Sequence, residues 1–439
     1  MPLQVAQLVQ FLNNKTEVKK EKVYPSLFYW VLINNSLKDC MMIKTMSKKT
    51  IIVNSIVIIT CFAVIFGGTY LYTVQHLMLS RLFYNLQVPF VKSTIRCSAD
   101  APIFMRTLMN NLITQQKSMS NQIVYQDSKD KLSHCESGWE DGFRGDKLLT
   151  VDSRFRYASV SKVATSAVIL NLINEGKLSL DQKLLDIIDI PEPKDKRIHD
   201  ITISMLLQHS AGFDRLKTYT PMLTMDVKPW CPTNLAVLSE TTLDFNPNTQ
   251  FQYSNVGYCL LGAVVEQVTG TTFREAAEDM YQLNERGIKF VDDEFLSDEI
   301  VYDYRYESFY GANYYTHFDF KDSLSAVGGL SGSAKSMVLL TRDMLKEQPF
   351  NILSRSNTPC AIDKIDGCYG HALLPYQMGG HDFTLYNKSG FFPGVNTDIF
   401  IDDQGGILAL YRGASAPNSQ VKQQLHKQVY MELEKFYKL

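Results

Sequence analysis

The sequence predicts an α+β fold in three layers: an antiparallel sheet drawn from both chain ends, flanked by helices, with an all-helical region inserted between. Three observations carry that expectation. The block NQIVYQ (Asn121 to Gln126) reads as a first strand. Far along the chain, HDFTLYNK, NTDIFIDDQGG and ILALYRG alternate with turns, and the Asp402–Gly406 turn makes the last two a hairpin. Between these ends the patterns are helical or polar, with no further regular run of strands.

Taken in order, the first distinct element is a run without charges. Ile51 to Tyr72 reads IIVNSIVIITCFAVIFGGTYLY, apolar on every side and long enough as a helix for a hydrocarbon core, which takes about 20 residues. Lys44, Lys48 and Lys49 precede it and the next basic residue is Arg81, which places the N-terminus in the cytoplasm and the bulk of the chain outside. The run exceeds the h-region of a cleaved signal, roughly 7–15 residues, and no A-x-A site follows, so an uncleaved anchor is expected. Residues 1–49 are then a cytoplasmic segment in which Met42 or Met46 would be a more natural start. Residues 50–72 are the anchor, 73–120 a helical stalk with Met105, Leu108, Met109 and Leu112 at helical spacing, and 121–439 the main domain.

Within that domain, a helix begins at Ser159 with Val160, Val163, Ala164, Ala167, Val168 and Leu172 on one face and Gly176 as its stop. Further helices are expected around Met205 and from Val256 to Val268, the latter closed by Gly270. The final segment, with Val421, Leu425, Val429, Leu433 and Phe436, is a helix with one apolar face.

Composition narrows the function. Hydrophobic residues make up 45% and charged residues 21% of 439, which is globular composition without a disorder signature. With a net charge of −2 and no basic block flanked by aromatics, a nucleic-acid partner is not expected. Cys97, Cys135, Cys231, Cys259, Cys360 and Cys368 follow the span, an even number that permits disulfides in an exported domain. Cys360–Cys368 would close a short loop, and Cys259, in an apolar helical run, reads as a free core residue. No cysteine or histidine spacing matches a zinc site, so no metal or other cofactor is expected.

Three short motifs carry chemistry. Ser159 and Lys162 stand three apart at the start of a helix, on one face. A serine hydroxyl is a poor nucleophile until a neighbour takes its proton, and a lysine does so when burial or nearby positive charge lowers its pKa. S-x-x-K alone is weak: roughly one or two chance matches are expected in such a chain, and Ser128/Lys131 and Ser419/Lys422 also fit. Only Ser159 opens an apolar helix. Tyr253-Ser254-Asn255 precedes the apolar run VGYCLLGAVVEQVTG; a tyrosinate near two lysines can act as general base, and an asparagine amide can orient a substrate amide. Lys388-Ser389-Gly390 ends the strand-like FTLYNK, where the lysine can bind a substrate carboxylate, the hydroxyl can hydrogen-bond it, and glycine lets a ligand approach the backbone.

Ser-x-x-Lys, Tyr-x-Asn and Lys-Ser/Thr-Gly in this order resemble the signature of class C β-lactamases, DD-peptidases (penicillin-binding proteins) and related esterases. FRYASVSK, ITISMLLQHSAGFD (Ile201 to Asp214) and SAVGGLSGSAKSM (Ser325 to Met337) resemble further family segments, and the match covers about residues 120 to 415. The resemblance implies a β-lactamase/transpeptidase-like fold and a serine hydrolase. In it, Ser159 forms the acyl-enzyme, Lys162 activates it and Tyr253 is base or proton relay, the choice of base between the last two staying open. Asn255 would hold the substrate amide, Lys388, Ser389 and Gly390 its carboxylate end, and the backbone N–H groups of Ser159 and Phe391 the oxyanion. His209 would be structural, and Gly329-Leu330-Ser331-Gly332 is no nucleophile elbow, since Ser333 stands where G-x-S-x-G needs glycine.

The implied substrates are D-Ala-D-Ala-like peptides or β-lactams carrying a carboxylate. Small esters are the alternative, as is a slowly deacylating penicillin-binding sensor or scaffold. Ser389 in place of threonine, the bulky Phe391 and Phe392, and an anchor unlike secreted lactamases argue against efficient antibiotic hydrolysis. The expected setting is a single-pass inner-membrane protein with its catalytic domain on the periplasmic or extracellular side and no obligate protein partner.

Overall fold

The computed structural model describes residues 48–438 apart from 75, 216, 219–223, 308–311, 356–360 and 366. The chain divides between Gln75 and His76 into two compact units. The described part of the first is one helix, α1 (Lys48–Val74), whose stretch Ile52–Tyr70 is apolar, exposed along its length and long enough to cross a membrane.

The second unit opens with α2 (His76–Ser93), the short strand β1 (Arg96–Cys97) and α3 (Ile103–Thr114). Here the stalk expectation is corrected. The helical stripe on α3 does not face solvent: Phe104, Met105, Leu108, Met109, Leu112 and Ile113 are buried and form part of a core with the C-terminal helix. An apolar stripe on a short helix needs a packing partner in water, and the sheet supplies it.

The strands β2 (Asn121–Gln126) and β3 (Leu132–Ser137) follow as a hairpin, then β4 (Phe155–Arg156) and α4 (Ser161–Asn174), which stops at Gly176 with φ +73°. The helical region holds α5 (Ile203–Leu207), α6 (Asn255–Thr269), closed by Gly270 in the left-handed region, and α7 (Phe273–Tyr281), whose first turn carries a Thr272/Glu275 capping box. Next come β5 (Lys289–Phe290), α8 (Ser325–Gly328), β6 (Leu330–Gly332) and α9 (Ala334–Met344). The chain ends with β7 (Leu374–Tyr376), β8 (Leu385–Phe392), β9 (Val395–Asp402), β10 (Ile407–Arg412) and α10 (Ser419–Lys438).

The main sheet is antiparallel in the order β1-β3-β2-β10-β9-β8-β7. Its two contributions meet where β2 pairs with β10, Asn121 opposite Arg412 and Gln126 opposite Ile407. A second sheet of three short strands runs β4-β6-β5. Side chains alternate between faces, so the central strands feed two cores. From β9, Ile399 and Ile401 join α4, α6 and α9, whereas Phe400 joins α3 and α10. The fold is therefore the expected three-layer α+β arrangement, with the predicted β9–β10 hairpin in place.

Cys97–Cys135 ties β1 to β3 at directly paired positions. Cys259 is not free: it is bonded to Cys231, and both are buried where the inner side of α6 meets the preceding loop. Burial in an apolar helix suits a cystine as well as a thiol, so pattern alone did not separate them. Cys368 is disulfide-bonded, and Cys360 lies outside the described residues.

Candidate active site

The site is built around the step from β4 into α4. Tyr157 leads into a 3-10 turn, Ala158–Val160, before the α-helix begins at Ser161, so Ser159 sits in this turn rather than at the helix start. Ala158 has φ +47°, a strained value for a residue with a Cβ, and the surroundings hold it there. Tyr157 donates its N–H to Leu330 O (2.8 Å), its hydroxyl to Ser333 O (2.9 Å), and accepts from Thr397 Oγ1 (2.7 Å). Ser161 Oγ accepts from Leu330 N at 3.1 Å. Both sheets thus fix the turn.

Lys162 reaches back one turn and places Nζ 3.3 Å from Ser159 Oγ, while donating to Val327 O at 2.7 Å. Tyr253 comes from the loop before α6 and donates its hydroxyl to Ser159 Oγ at 2.9 Å. Ser159 Oγ therefore lies between an amine and a phenol contributed by separate segments. Asn255 opens α6, and its Oδ1 is buried without a hydrogen-bond partner among the described residues. Lys388 projects from β8 with Nζ 4.7 Å from the centre of the Tyr253 ring and 4.6 Å from that of Tyr369.

Gly390 explains how β8 comes so close. A Cβ there would lie 2.2 Å from Tyr157 O, 2.5 Å from Thr397 Oγ1 and 3.0 Å from the Ser159 N–H nitrogen. Only glycine permits this approach, which sets the strand bearing Phe391 against the amide of Ser159. Phe391 is half exposed, whereas Phe392 turns into the core against Tyr315 and Phe320.

The Beta-lactamase family profile matches residues 121–413, two thirds of the chain and all the residues just described. The chain belongs to the Beta-lactamase family. Its sequence is 60% identical over 361 residues to a putative fimbrial assembly protein FimD, serogroup D, of Dichelobacter nodosus, covering 82% of this chain and 91% of that one. It is 31% identical over 145 residues to a putative D-alanyl-D-alanine carboxypeptidase of Escherichia coli K12, covering 30% and 32%. The fold resembles the D-amino acid amidase of Ochrobactrum anthropi SV3 in complex with D-phenylalanine, with a TM-score of 0.61 at 18% identity over 76% of this chain and 98% of that one.

The electrostatics of this Beta-lactamase family member divide the two neighbours of Ser159. Lys162 is fully buried, and burial followed by the charge of Lys388 drives its pKa well below the ordinary lysine value. Tyr253 moves the other way: burial pushes its phenol up to about 12, against the opposing pull of the Ser159 hydrogen bond and Arg215. A neutral amine and a neutral phenol are the states these directions favour. The tyrosinate considered from sequence is thus the disfavoured form.

His209 packs between the tyrosines, its ring 4.4 Å from Tyr253, 4.9 Å from Tyr258 and 4.6 Å from Tyr369. Its Nδ1 accepts from Ser254 N at 3.2 Å, and burial first, then Lys388 and Lys162, lowers its pKa well below the usual histidine value. It is therefore a neutral wedge under the tyrosine loop.

Ser389 departs from expectation. Its hydroxyl donates to Asp398 Oδ1 at 2.5 Å and lies 3.3 Å from His426 Nε2 on α10. Asp398 is also paired with the buried Arg412, so the hydroxyl assigned to a substrate carboxylate already has protein partners. The cause is register, since Ser389 stands directly opposite Asp398.

Sequence reasoning missed Tyr369, Tyr258, Arg215 and the Val327 carbonyl. Arg215 lies 5.9 Å over the Tyr253 ring just after the His209 segment. Tyr369 and Arg215 sit in loops, where periodicity says nothing, and a backbone carbonyl leaves no mark on sequence. The decoys separate cleanly: Ser128/Lys131 lie in the β2–β3 turn and Ser419 opens α10, remote in sequence and element from this cluster.

Proposed function

We propose that this protein is a membrane-anchored serine hydrolase that forms an acyl-enzyme on Ser159 with D-Ala-D-Ala-like peptides or β-lactams. The observation that carries the reading is the position of Ser159 Oγ, 3.3 Å from a buried amine of lowered pKa and 2.9 Å from a phenol. Lys162 takes the serine proton as Oγ attacks the carbonyl carbon. As the C–N bond breaks, Tyr253 gives its hydroxyl proton to the leaving nitrogen and takes back the proton that Lys162 removed from Ser159, which restores the neutral phenol and the neutral amine. The N–H groups of Ser159 and Phe391 hold the oxyanion, and water then releases the acyl group.

The unpartnered Oδ1 of Asn255 supports a role in accepting an N–H from the substrate's amide. Lys388, with Ser389 and Gly390 beside it, supplies positive charge for a substrate carboxylate. The D-amino acid amidase fold and the names of the carboxypeptidase relatives favour substrates built on D-amino acids. The apolar helix Ile52–Tyr70 supports the anchor, with the hydrolase domain outside the cytoplasmic membrane.

The test is intact-mass spectrometry of the detergent-solubilised chain with penicillin, beside Ser159→Ala. An adduct on the wild type alone supports the reading and a slow deacylation. Rapid penicillin loss without an adduct, abolished in Ser159→Ala, indicates a lactamase. Neither adduct nor loss, with small D-amino-acid amides and esters also untouched, overturns it.

A second reading rests on the relatives at 60% and 57% identity, whose names assign them to fimbrial assembly. In it the acyl site serves assembly of a surface fibre. Fimbriation in the native host carrying Ser159→Ala separates the two uses: loss of fimbriae ties the site to assembly, and unchanged fimbriae exclude that link.

A further inference from the structure

The outer face of α2 is apolar and bare. Leu82 (68% exposed), Phe83 (57%), Leu86 (67%) and Phe90 (47%) recur at spacings that fall on one side of a helix. The opposite side is already docked on the hydrolase domain. Tyr84 and Val91 are buried, and the Tyr84 hydroxyl donates to Ile113 O at 2.7 Å. Arg81 Nη2 donates to Glu307 O at 3.2 Å, and Gln87 Oε1 accepts from Arg305 at 2.7 Å. The helix is thus held by its polar and aromatic inner face and turns its greasiest residues outward. That is the reverse of a solvent-facing helix.

We infer that this stripe is an interfacial docking surface that lays α2 and its domain on the same bilayer that α1 crosses. This inference rests on the reading of α1 as an anchor. Two observations choose lipid as the occupant. Leu82 follows Tyr70, the end of the apolar span, by only twelve positions, so the chain tethers the stripe within about 40 Å of the membrane even if fully extended. The charged residues of α2, Arg81 and Lys92, are both basic, and it has no acidic residue. Lys117 lies beside it, bonded to Asn85 at 3.0 Å, and Arg144 lies 5.3 Å over the ring of Phe90. Leucine and phenylalanine on one face of a helix whose own charges are basic suit an anionic headgroup layer, in which such helices sit about 5–10 Å deep; Asp141 and Asp146 flank Arg144 in the neighbouring loop. A second copy would bring like charge against like.

The test uses the full chain with Cys40 and Cys61 replaced by alanine, reconstituted in phosphatidylethanolamine/phosphatidylglycerol vesicles containing nitroxide-labelled lipid. A fluorophore is placed on single cysteines at Ile58 in the span, Leu86 on the stripe and Lys129 in the exposed β2–β3 turn. Quenching at 58 and 86 with an unquenched 129 is the expected result. Quenching at 58 alone overturns the docking surface and leaves the anchor standing. Lack of quenching at 58 overturns the anchor and the docking together. Disulfide-linked dimers of Leu86→Cys in the same vesicles, without quenching at 86, assign the stripe to a second copy and also overturn the proposal.

Discussion

Burial gives Lys162 and Tyr253 opposite protonation tendencies, and this makes the proton acceptor testable. Because the folded pKa of Lys162 is lowered, the amine becomes neutral well below the ordinary lysine range as pH rises. Acylation by penicillin is therefore expected to climb along a limb centred well below pH 10.5 and then level off. Tyr253→Phe should slow the reaction by roughly 10²–10⁴-fold while leaving that limb in place, and Lys162→Ala should remove it. A limb that instead extends toward pH 12 would make the phenolate the base. Lys388→Met deletes the like charge facing Lys162, so the limb should move to higher pH. Stopped-flow acylation rates across pH read all three variants. At this scale the motifs named Ser159, Lys162, Tyr253 and Lys388 because each stands beside a strong helix or strand signal. The stack of His209 on Tyr253 and Tyr369 joins three loops distant in sequence, and no spacing encodes such a contact.

At the scale of elements, the approach of β8 to the turn that carries Ser159 depends on a missing side chain. Gly390→Ala would force apart β8 and the Ala158–Val160 turn, since its Cβ would meet two groups within 2.5 Å. A loss of about 1–3 kcal/mol is expected from such overpacking. Acylation should fall further than stability does, because the amide of Ser159 moves with the turn; thermal melts beside penicillin-labelling rates distinguish the two effects. The Cys97–Cys135 cystine closes a loop of 38 residues and holds β1 at the sheet edge. Replacing both with serine should cost roughly 3–4 kcal/mol, read by urea denaturation, with little change in acylation rate. The helices α4 and α6 and the β9–β10 hairpin were legible because their periodicity and stop signals agree. The role of α3 was not, because a stripe that packs inward looks the same in sequence as one on a lone stalk.

At the scale of the molecule, three layers enclose two cores, and the helical region inserts between strands from opposite ends of the domain. The order of strand and helix patterns made that architecture legible, but not the pairing of β2 with β10. That pairing also sets a timetable. During synthesis β2 and β3 emerge nearly three hundred residues before the strand that covers the open side of β2. Until Arg412 has left the ribosome, this hairpin exposes an unpaired edge, which invites association with other chains. The Ala158–Val160 turn likewise waits for Thr397 and Gly390. The sheet therefore cannot close until β10 is made, and a chain cut short before it is a candidate for degradation rather than a weakened form of the same fold.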